Sequence, residues 1–154
     1  PIEANLYVIQ LPGLLQNKGY IAASIDSIRF DSSFAEIVIY PGEQYKWARI
    51  ITRAQDASIL QSIRWPDKME GTIDFNAIQS WQKKILDYLE ENGRPFGKVY
   101  LDSIAINGVE VNALLKIEQG PLYKIDSIRV YGDAKVSNEF LQRYLEIYNG
   151  SIYE

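Results

Sequence analysis

The chain of 154 residues is long enough for one ordinary domain or two small ones, and its 47% hydrophobic and 23% charged residues are typical of a folded globular protein. The net charge of −4, with Lys and Arg scattered singly, argues against a nucleic-acid partner. Because cysteine and histidine are both absent, the sequence excludes disulfides, thiolate metal sites and mechanisms that need an imidazole.

Two helices follow the first strand that we predict in the middle of the chain. Residues 45–52 predict a strand, and residues 57–65 predict a helix that Pro66 ends. Residues 66–72 are polar and predict a flexible loop between helices. The second helix is placed to begin after Asp74, whose carboxylate can cap its first amides, and to end at Asn92-Gly93. Its apolar residues recur at spacings of three and four: Phe75, Ile78, Trp81, Ile85, Tyr88 and Leu89.

A β-hairpin is the next predicted element. Asn107-Gly108 suits a two-residue type I′ turn that would pair Ile106 with Val109. In that register Ile104 falls on one face of the strand, whereas Val99 and Leu101 fall on the other face. We therefore expect either a bulge near residues 102–103 or burial on both faces.

A further strand and helix are predicted at the end of the chain. Residues 123–131 predict the strand, and Ser137 is placed to cap the helix. The apolar positions of that helix are Phe140, Leu141, Tyr144, Leu145 and Tyr148.

An internal repeat connects these elements. Residues 39–50 align without gaps with residues 117–128, an offset of 78 positions, and share Ile, Gly, Tyr-Lys and Ile at equal spacing. Upstream, residues 15–28 echo residues 89–104 with small differences in length. A helix-turn-strand unit therefore occurs twice.

Residues 88–132 resemble the POTRA module of the Omp85 and TpsB families. The resemblance lies in a helix ending in Asn-Gly, a hairpin, and the stretch Gly-Pro-x-Tyr-x-Ile-x-x-Ile-x-Val-x-Gly from Gly120 to Gly132. Two positions depart from the usual pattern. Arg94 stands where an aromatic residue usually follows the glycine, a place that Tyr20 fills in the first copy, and Ala54 stands where glycine is usual.

The resemblance implies an α+β fold of tandem POTRA modules, each β-α-α-β-β, with a three-stranded sheet covered on one face by two helices. Residues 1–44 would be the C-terminal half of one module, with a helix and a β-hairpin. Residues 45–120 would be a complete module, and residues 121–154 the first strand and helix of a further one.

The resemblance also implies a function and a location. The chain would be a non-enzymatic scaffold at the periplasmic face of the outer membrane of a Gram-negative bacterium, in a machine that inserts and assembles outer-membrane proteins. Its partners would be unfolded outer-membrane protein segments and periplasmic accessory proteins, with a β-barrel following Glu154 in the full-length protein. The alternatives are a POTRA-like module of a two-partner secretion transporter, a structural spacer, and, from another class, a carboxylate-dependent hydrolase.

The physics of sheet edges suggests how such a scaffold would bind a client. An edge strand has unpaired backbone groups with which an extended peptide can pair. In the complete module this edge would be residues 98–104, beside a groove whose other wall is the helix at residues 57–65. Residues 20–28 would be the matching edge of the first copy. Neighbouring modules could equally cover these edges. The predicted binding edge consists of Lys98, Val99, Tyr100, Leu101, Asp102, Ser103 and Ile104, and the predicted turn and junction residues are Gly19, Gly42, Gly93, Asn107, Gly108, Gly120 and Gly132.

Three short patterns that could carry other chemistry have plainer explanations. Ser80 and Lys83 match Ser-x-x-Lys but lack the other motifs of those acyl-transfer enzymes, so a solvated helix face explains them. Paired carboxylates such as Glu90-Glu91 would need a desolvating cleft to act as acid and base. Asp-Ser-Ile at residues 26–28, 102–104 and 126–128 resembles a periplasmic O-glycosylation pattern or is repeated strand sequence. We predict no catalytic residue, metal, cofactor or membrane-spanning helix.

Overall fold

The computed structural model describes residues 2–31, 34–132 and 136–153, with side chains described from residue 7 onward. None of the helices in these ranges has the length and apolar character needed to cross a bilayer. The elements in chain order are α1 (Ile2–Gln16), β1 (Ser24–Phe30), β2 (Ala35–Tyr40), β3 (Lys46–Ile51), a short 3-10 turn (Ala54–Asp56), α2 (Ala57–Ser62), β4 (Gly71–Thr72), α3 (Phe75–Glu91), β5 (Lys98–Asn107), β6 (Glu110–Glu118) and α4 (Asn138–Leu145).

The central sheet has the strand order β4-β3-β6-β5. Strand β6 pairs parallel with β3 and antiparallel with β5, so the predicted three-stranded sheet is confirmed as β3-β6-β5. The two-residue strand β4 was not predicted, because it lies in the segment expected to be a loop. It pairs with Lys46 and Trp47. Burial explains this pairing: Ile73, directly after β4, is only 2% exposed, which draws the end of the loop against the sheet.

Two helices cover one face of this sheet. Alternate residues of β6 from Val111 to Ile117 are buried, as a strand packed on one face requires. The C-terminal half of β6 contacts Ile59 and Leu60 of α2 together with Ile85 and Leu89 of α3. Val111 and Ala113 of β6 pack with a second apolar cluster formed by Trp47, Ile73 and Ile78.

The predicted signals at the ends of α3 are confirmed. Asp74 accepts hydrogen bonds from the amides of Asn76 and Ala77 at 2.9 and 3.2 Å. At the other end Gly93 has a φ of +73°, and the Arg94 amide donates to the Leu89 carbonyl at 2.8 Å, which closes the helix as a Schellman turn does.

Helix α2 ends three residues earlier than predicted. Arg64 adopts a left-handed φ of +57°, and the Trp65 amide donates to the Leu60 carbonyl at 2.8 Å. The chain therefore leaves the helix through a Schellman turn with a non-glycine residue at the left-handed position. Pro66 follows that turn and is not what ends the helix.

The hairpin and its bulge are confirmed, but the turn is displaced by one residue. Asn107 is the last residue of β5 and pairs with Glu110, so the loop residues are Gly108 and Val109, and Ile106 pairs with Val111 instead of Val109. Gly108 has a φ of +59°, whereas Val109 is not among the described residues with positive φ. Glycine at the first loop position is typical of type II′, not type I′. The register shifts between Asp102 and Ala105, which is the expected bulge.

One backbone arrangement occurs at both junctions in the chain. The Tyr45 amide donates to the Gly19 carbonyl at 2.8 Å, and the Tyr45 carbonyl accepts from the Ile73 amide at 3.1 Å. At the second junction the Tyr123 amide donates to the Gly93 carbonyl at 2.7 Å, and its carbonyl accepts from the Tyr153 amide at 3.1 Å. At each junction a tyrosine is therefore bonded through its amide to the glycine that follows a helix. Its carbonyl is bonded to a residue about 30 positions further along the chain.

The strand predicted at residues 123–131 is not formed. In the described part of this segment there is only an isolated bridge between Lys124 and Ile152. A strand needs a neighbour along its length, and among the described residues the backbone partners of this segment are Gly93 and residues 150–153. Helix α4 is capped by Ser137, whose hydroxyl accepts from the Phe140 amide at 3.2 Å as predicted, but it ends at Leu145, before Tyr148.

One buried ion pair joins the start of α2 to the sheet. Asp56 is 1% exposed and accepts from Arg53 Nε at 2.8 Å. The Arg53 guanidinium also donates to the Ile117 carbonyl at the end of β6. Arg53 therefore both neutralises a buried carboxylate and connects two elements.

We expect Arg53→Ala to lower the free energy of unfolding by about 3 kcal/mol, because it leaves a buried carboxylate without its counter-ion. This is the low end for buried pairs, since the Arg53 side chain is itself 28% exposed. Urea denaturation measures the change. Arg49→Ala, an exposed change on β3, is the control and should cost under about 0.5 kcal/mol. Equal losses in the two variants would contradict the role of the pair.

A second test concerns the junction at Gly19. A Cβ at Gly19 would lie 2.8 Å from the Tyr45 carbonyl oxygen, whereas a Cβ at Gly71 would meet nothing within 4 Å, and both residues have positive φ. Alanine at either position costs about 1–2 kcal/mol for the left-handed backbone. We expect Gly19→Ala to lower the free energy of unfolding by at least about 1 kcal/mol more than Gly71→Ala does, because the new Cβ must displace the Tyr45 carbonyl. Urea denaturation measures both changes. Indistinguishable costs would show that the junction contact contributes nothing.

Candidate strand-binding edge

Strand β5 lies at one edge of the central sheet. It pairs with β6 on one side, and the strand order places no strand of the described chain on its other side. The predicted edge residues, 98–104, all lie within β5, whose ten residues run from Lys98 to Asn107. At about 3.4 Å per residue, this edge is on the order of 34 Å long.

The helix beside this edge is α3, not α2 as we predicted. The Gln82 side chain of α3 donates to the Val99 carbonyl of β5 at 3.3 Å. Helix α2 instead borders the opposite side of the sheet, where Leu60 lines a cleft with Ile50 of β3. The two helices cover the sheet side by side, and the longer one lies next to β5.

Two backbone groups of β5 already have partners from side chains of the protein. The Val99 carbonyl accepts from Gln82, and the Ser103 amide donates to the Asp102 carboxylate at 2.7 Å. Ser103 has a φ of +50°, which is unusual for a residue with a side chain and belongs to the bulge. An incoming strand would have to replace both bonds in order to pair along the whole of residues 98–104.

Beyond the bulge the edge carries exposed apolar side chains. Ile104 is 59% exposed and Ile106 is 54% exposed. Before the bulge, Val99 and Leu101 pack against the core. The bulge therefore divides β5 into a first part that is fixed to the core and a second part whose isoleucines contact solvent.

A polar network crosses from β5 to β6. The Tyr100 hydroxyl donates to Glu118 at 2.6 Å, and Lys116 lies 3.5 Å from Asp102 and 4.0 Å from Glu118. The hydrogen bond from Tyr100 lowers the pKa of Glu118, with Lys116 adding a favourable charge. The edge strand is thereby held to its neighbour by side chains as well as by the backbone ladder.

The matching edge of the first copy is β1, which begins at Ser24 and not at Tyr20 as predicted. Among the described strands it pairs with β2 alone, and its register shifts between Ile25 and Ser27. Two of the three Asp-Ser-Ile segments therefore occur at bulges, where Asp can bond to the amide of the following Ser, as it does at residue 103.

The predicted junction glycines share one backbone property. Each has a positive φ, a region that residues with a Cβ rarely occupy. Asn107 differs, since it belongs to β5. The glycines with positive φ from the predicted set are Gly19, Gly42, Gly93, Gly108, Gly120 and Gly132.

The structure also explains Arg94, the departure from the family pattern. Its guanidinium donates to the Gly120 carbonyl at 2.6 Å, so it ties the end of α3 to the second junction. A side chain at this position thus contacts the junction even though it is not aromatic.

The polar groups with possible chemistry are engaged in local structure. Ser80 donates its hydroxyl to the Asn76 carbonyl at 2.8 Å, and Lys83 pairs with Asp87 at 2.8 Å. The hydrogen bond to Asp87 raises the pKa of Lys83, which is the wrong direction for a lysine that must act as a base. Within the described ranges, no group of three or more acidic residues is arranged to hold a metal ion.

Three residues with structural roles, Gln82, Arg53 and Asp56, were not identified from the sequence. Gln82 lies four residues after Ile78 and three before Ile85, so its spacing places it on the apolar face of the predicted helix. That position could have indicated a contact with the sheet, but not the bond to the Val99 carbonyl. The Arg53 and Asp56 pair has the i, i+3 spacing of a local ion pair, which could have indicated the contact but not its burial.

No family model matches the chain, and no curated protein matches it significantly by sequence. Its structure is similar to the crystal structure of Haemophilus influenzae BamA POTRA3-5, with a TM-score of 0.62 and 18% sequence identity. The similarity covers 96% of this chain, which spans 62% of that one. BamA from Haemophilus ducreyi lacking POTRA domains 1-3 is also similar, at a TM-score of 0.47 and 15% identity, over 77% of this chain and 23% of that one.

The chain is thus an α+β protein built on repeated helix-and-sheet units. More particularly, it has the fold of tandem POTRA modules, as its sequence predicted.

We expect Tyr100→Phe to raise the pKa of Glu118 towards that of an ordinary glutamate, because it removes the hydrogen bond that favours the carboxylate. A carboxyl group whose pKa is lowered by folding stabilises the fold above its unfolded pKa, and this contribution is lost as pH falls through the folded value. The variant should therefore lose less stability than the parent on acidification. Carbon-detected NMR titration of the Glu118 carboxyl measures the pKa, and an unchanged value would sink the assignment.

Proposed function

We propose that this chain is a periplasmic scaffold region of an Omp85-type outer-membrane protein, which binds extended segments of client proteins by β-augmentation. The observation that supports this most is the ten-residue β5 at the edge of a sheet in a POTRA fold. An extended peptide can continue such a sheet, with affinity from backbone hydrogen bonds and selectivity from alternate side chains.

The module boundaries belong to the same proposal. We place residues 1–44 in one module, 45–120 in a second and 121–154 in a third. The repeated pair of hydrogen bonds at Tyr45 and Tyr123 supports the two boundaries, because each lies where a helix end meets the start of the next segment.

The bulge suggests where a client strand engages first. Val99 and Ser103 already have partners for a backbone group, whereas Ile104 and Ile106 expose apolar surface beside the edge. A client would begin pairing at residues 104–107 and extend towards Lys98 only by displacing Gln82. Strands of outer-membrane proteins alternate apolar and polar residues, so every second side chain can pack against these isoleucines.

The proposed partners are unfolded outer-membrane protein segments and periplasmic accessory proteins, and the proposed location is the periplasmic face of the outer membrane. The role is binding and not catalysis. The groups of Ser80 and Lys83 that could suggest an enzyme are engaged within α3.

Titration of the isotope-labelled 154-residue chain with a neutral peptide of alternating valine and threonine tests the proposal. We expect amide shifts at residues 98–107 and slower hydrogen exchange at residues 104–107. Replacing both Ile104 and Ile106 with lysine should weaken binding about tenfold or more, because it removes apolar contact and protects the edge with charge.

The control is Ile9→Lys, a change of an exposed isoleucine in α1, which should leave the affinity unchanged. Amide shifts that avoid β5 altogether would argue against this edge as the client site.

A further inference from the structure

The opposite edge of the central sheet is only half covered. Strand β4 pairs with Lys46 and Trp47 of β3 and reaches no further. Residues 49–51 of β3 pair with β6 on one side, and Ala48 lies at a register shift in that ladder. Within the described chain no strand lies on the other side of residues 48–51. Before β4, the chain at residues 67–70 diverges from β3 instead of pairing with it.

This divergence opens a cleft along the uncovered half of β3. The cleft has a volume of about 380 Å³, with residues 48–52 as one wall and residues 67–70 as the other. An adjoining cleft of about 510 Å³ shares Ile50, Thr52 and Asp67 and continues between β3 and α2. Both clefts are open to solvent along the edge of the sheet, so a peptide can enter them from the side.

The backbone of residues 48–52 differs from that of β5 in its hydrogen bonds to side chains. No described side chain donates to or accepts from it, whereas the β5 edge is bonded to Gln82 and Asp102. Alternate residues of a strand direct both backbone groups to the same side, so part of this segment directs a donor and an acceptor into the cleft. The β4–β3 ladder ends at Trp47, and an added strand would follow it beyond the register shift at Ala48.

The charges around the two clefts favour an acidic occupant. Arg49 lines the first cleft and Arg64 the second, and neither has a carboxylate within 4.0 Å in the described residues. Lys68 is paired with Glu70 at 3.9 Å. The other charged residues that line the two clefts are Arg49, Arg64 and Asp67, so positive charge exceeds negative charge there.

We propose that the uncovered half of β3 binds an extended acidic segment of a partner protein as an added strand, in line with β4. The occupant pairs its backbone with residues 48–52 and directs carboxylates towards Arg49 and Arg64. The site lies at the opposite edge of the sheet from β5, so the two edges can be occupied at the same time by peptides of different charge.

Titration of the isotope-labelled chain with an acidic peptide of alternating valine and glutamate tests this site. We expect amide shifts and slower hydrogen exchange at residues 48–52. The same peptide with alternate backbone amides methylated should bind at least about tenfold more weakly, because methylation removes the donors to the ladder. Changing both Arg49 and Arg64 to glutamate should weaken the acidic peptide about tenfold or more, while Arg143→Glu on α4, an exposed control, should not.

A second variant protects the test against misfolding. The chain has no cysteine, so Glu70→Cys carries the only thiol, and a bulky maleimide attached there should block the cleft. The same label on Ser80→Cys, on the exposed side of α3, should leave binding intact.

Three results would overturn the inference. Acidic peptide shifts confined to residues 98–107 would leave the β5 proposal standing and remove this one. Equal affinity for a peptide of alternating valine and lysine would remove the acidic occupant. Protection of residues 48–52 that depends on protein concentration without peptide would show that a second copy of the chain is the occupant.

Discussion

The hydrogen bond between the Tyr45 amide and the Gly19 carbonyl is the contact on which the arrangement of the chain depends. It forms only because Gly19 adopts a left-handed backbone and has no Cβ, which allows the Tyr45 carbonyl to approach closely. That carbonyl in turn accepts from Ile73, which positions β4 and the start of α3. The same set of contacts at Gly93, Tyr123 and Tyr153 repeats this geometry at the next junction.

The two edges of the central sheet differ because of how the chain reaches them. Strand β5 follows α3 and runs beside it, so a helix side chain and a bulge occupy part of its edge. Strand β3 follows the first junction directly, and only its first two residues are paired by β4. Before β4, residues 67–70 face residues 48–52 across a cleft and do not pair with them. The β5 edge is thereby partly protected by the side chains of Gln82 and Asp102, and the β3 edge by the short strand β4.

Local signals predicted the parts of the fold that depend on neighbouring residues. The caps at Asp74 and Ser137, the stop at Asn92-Gly93 and the bulge near residue 102 all arise within a few positions of the chain. The central three-stranded sheet was predicted through the family resemblance. Elements that depend on distant partners were missed. Strand β4 exists because Ile73 is buried. Residues 123–131 are not a strand because, among the described residues, they form only the isolated bridge at Lys124.

The candidate edge was predicted as a segment but not in detail. The sequence placed residues 98–104 in a strand, yet it gave no indication that α3 lies beside that strand. Both helices have an apolar face, so their patterns alone cannot say which one lies nearer to β5. The contact from Gln82 and the open half of β3 both depend on this tertiary arrangement.

The bulge at residues 102–105 also bears on the solubility of the protein. A long, flat and fully unpaired edge invites the same edge of another molecule to join it, and such pairing can propagate into aggregates. In β5 the left-handed Ser103 interrupts the regular spacing of backbone groups, so two identical edges cannot align their hydrogen bonds along their whole length. A protein that must keep a strand edge accessible at high concentration can in this way avoid polymerising through that edge.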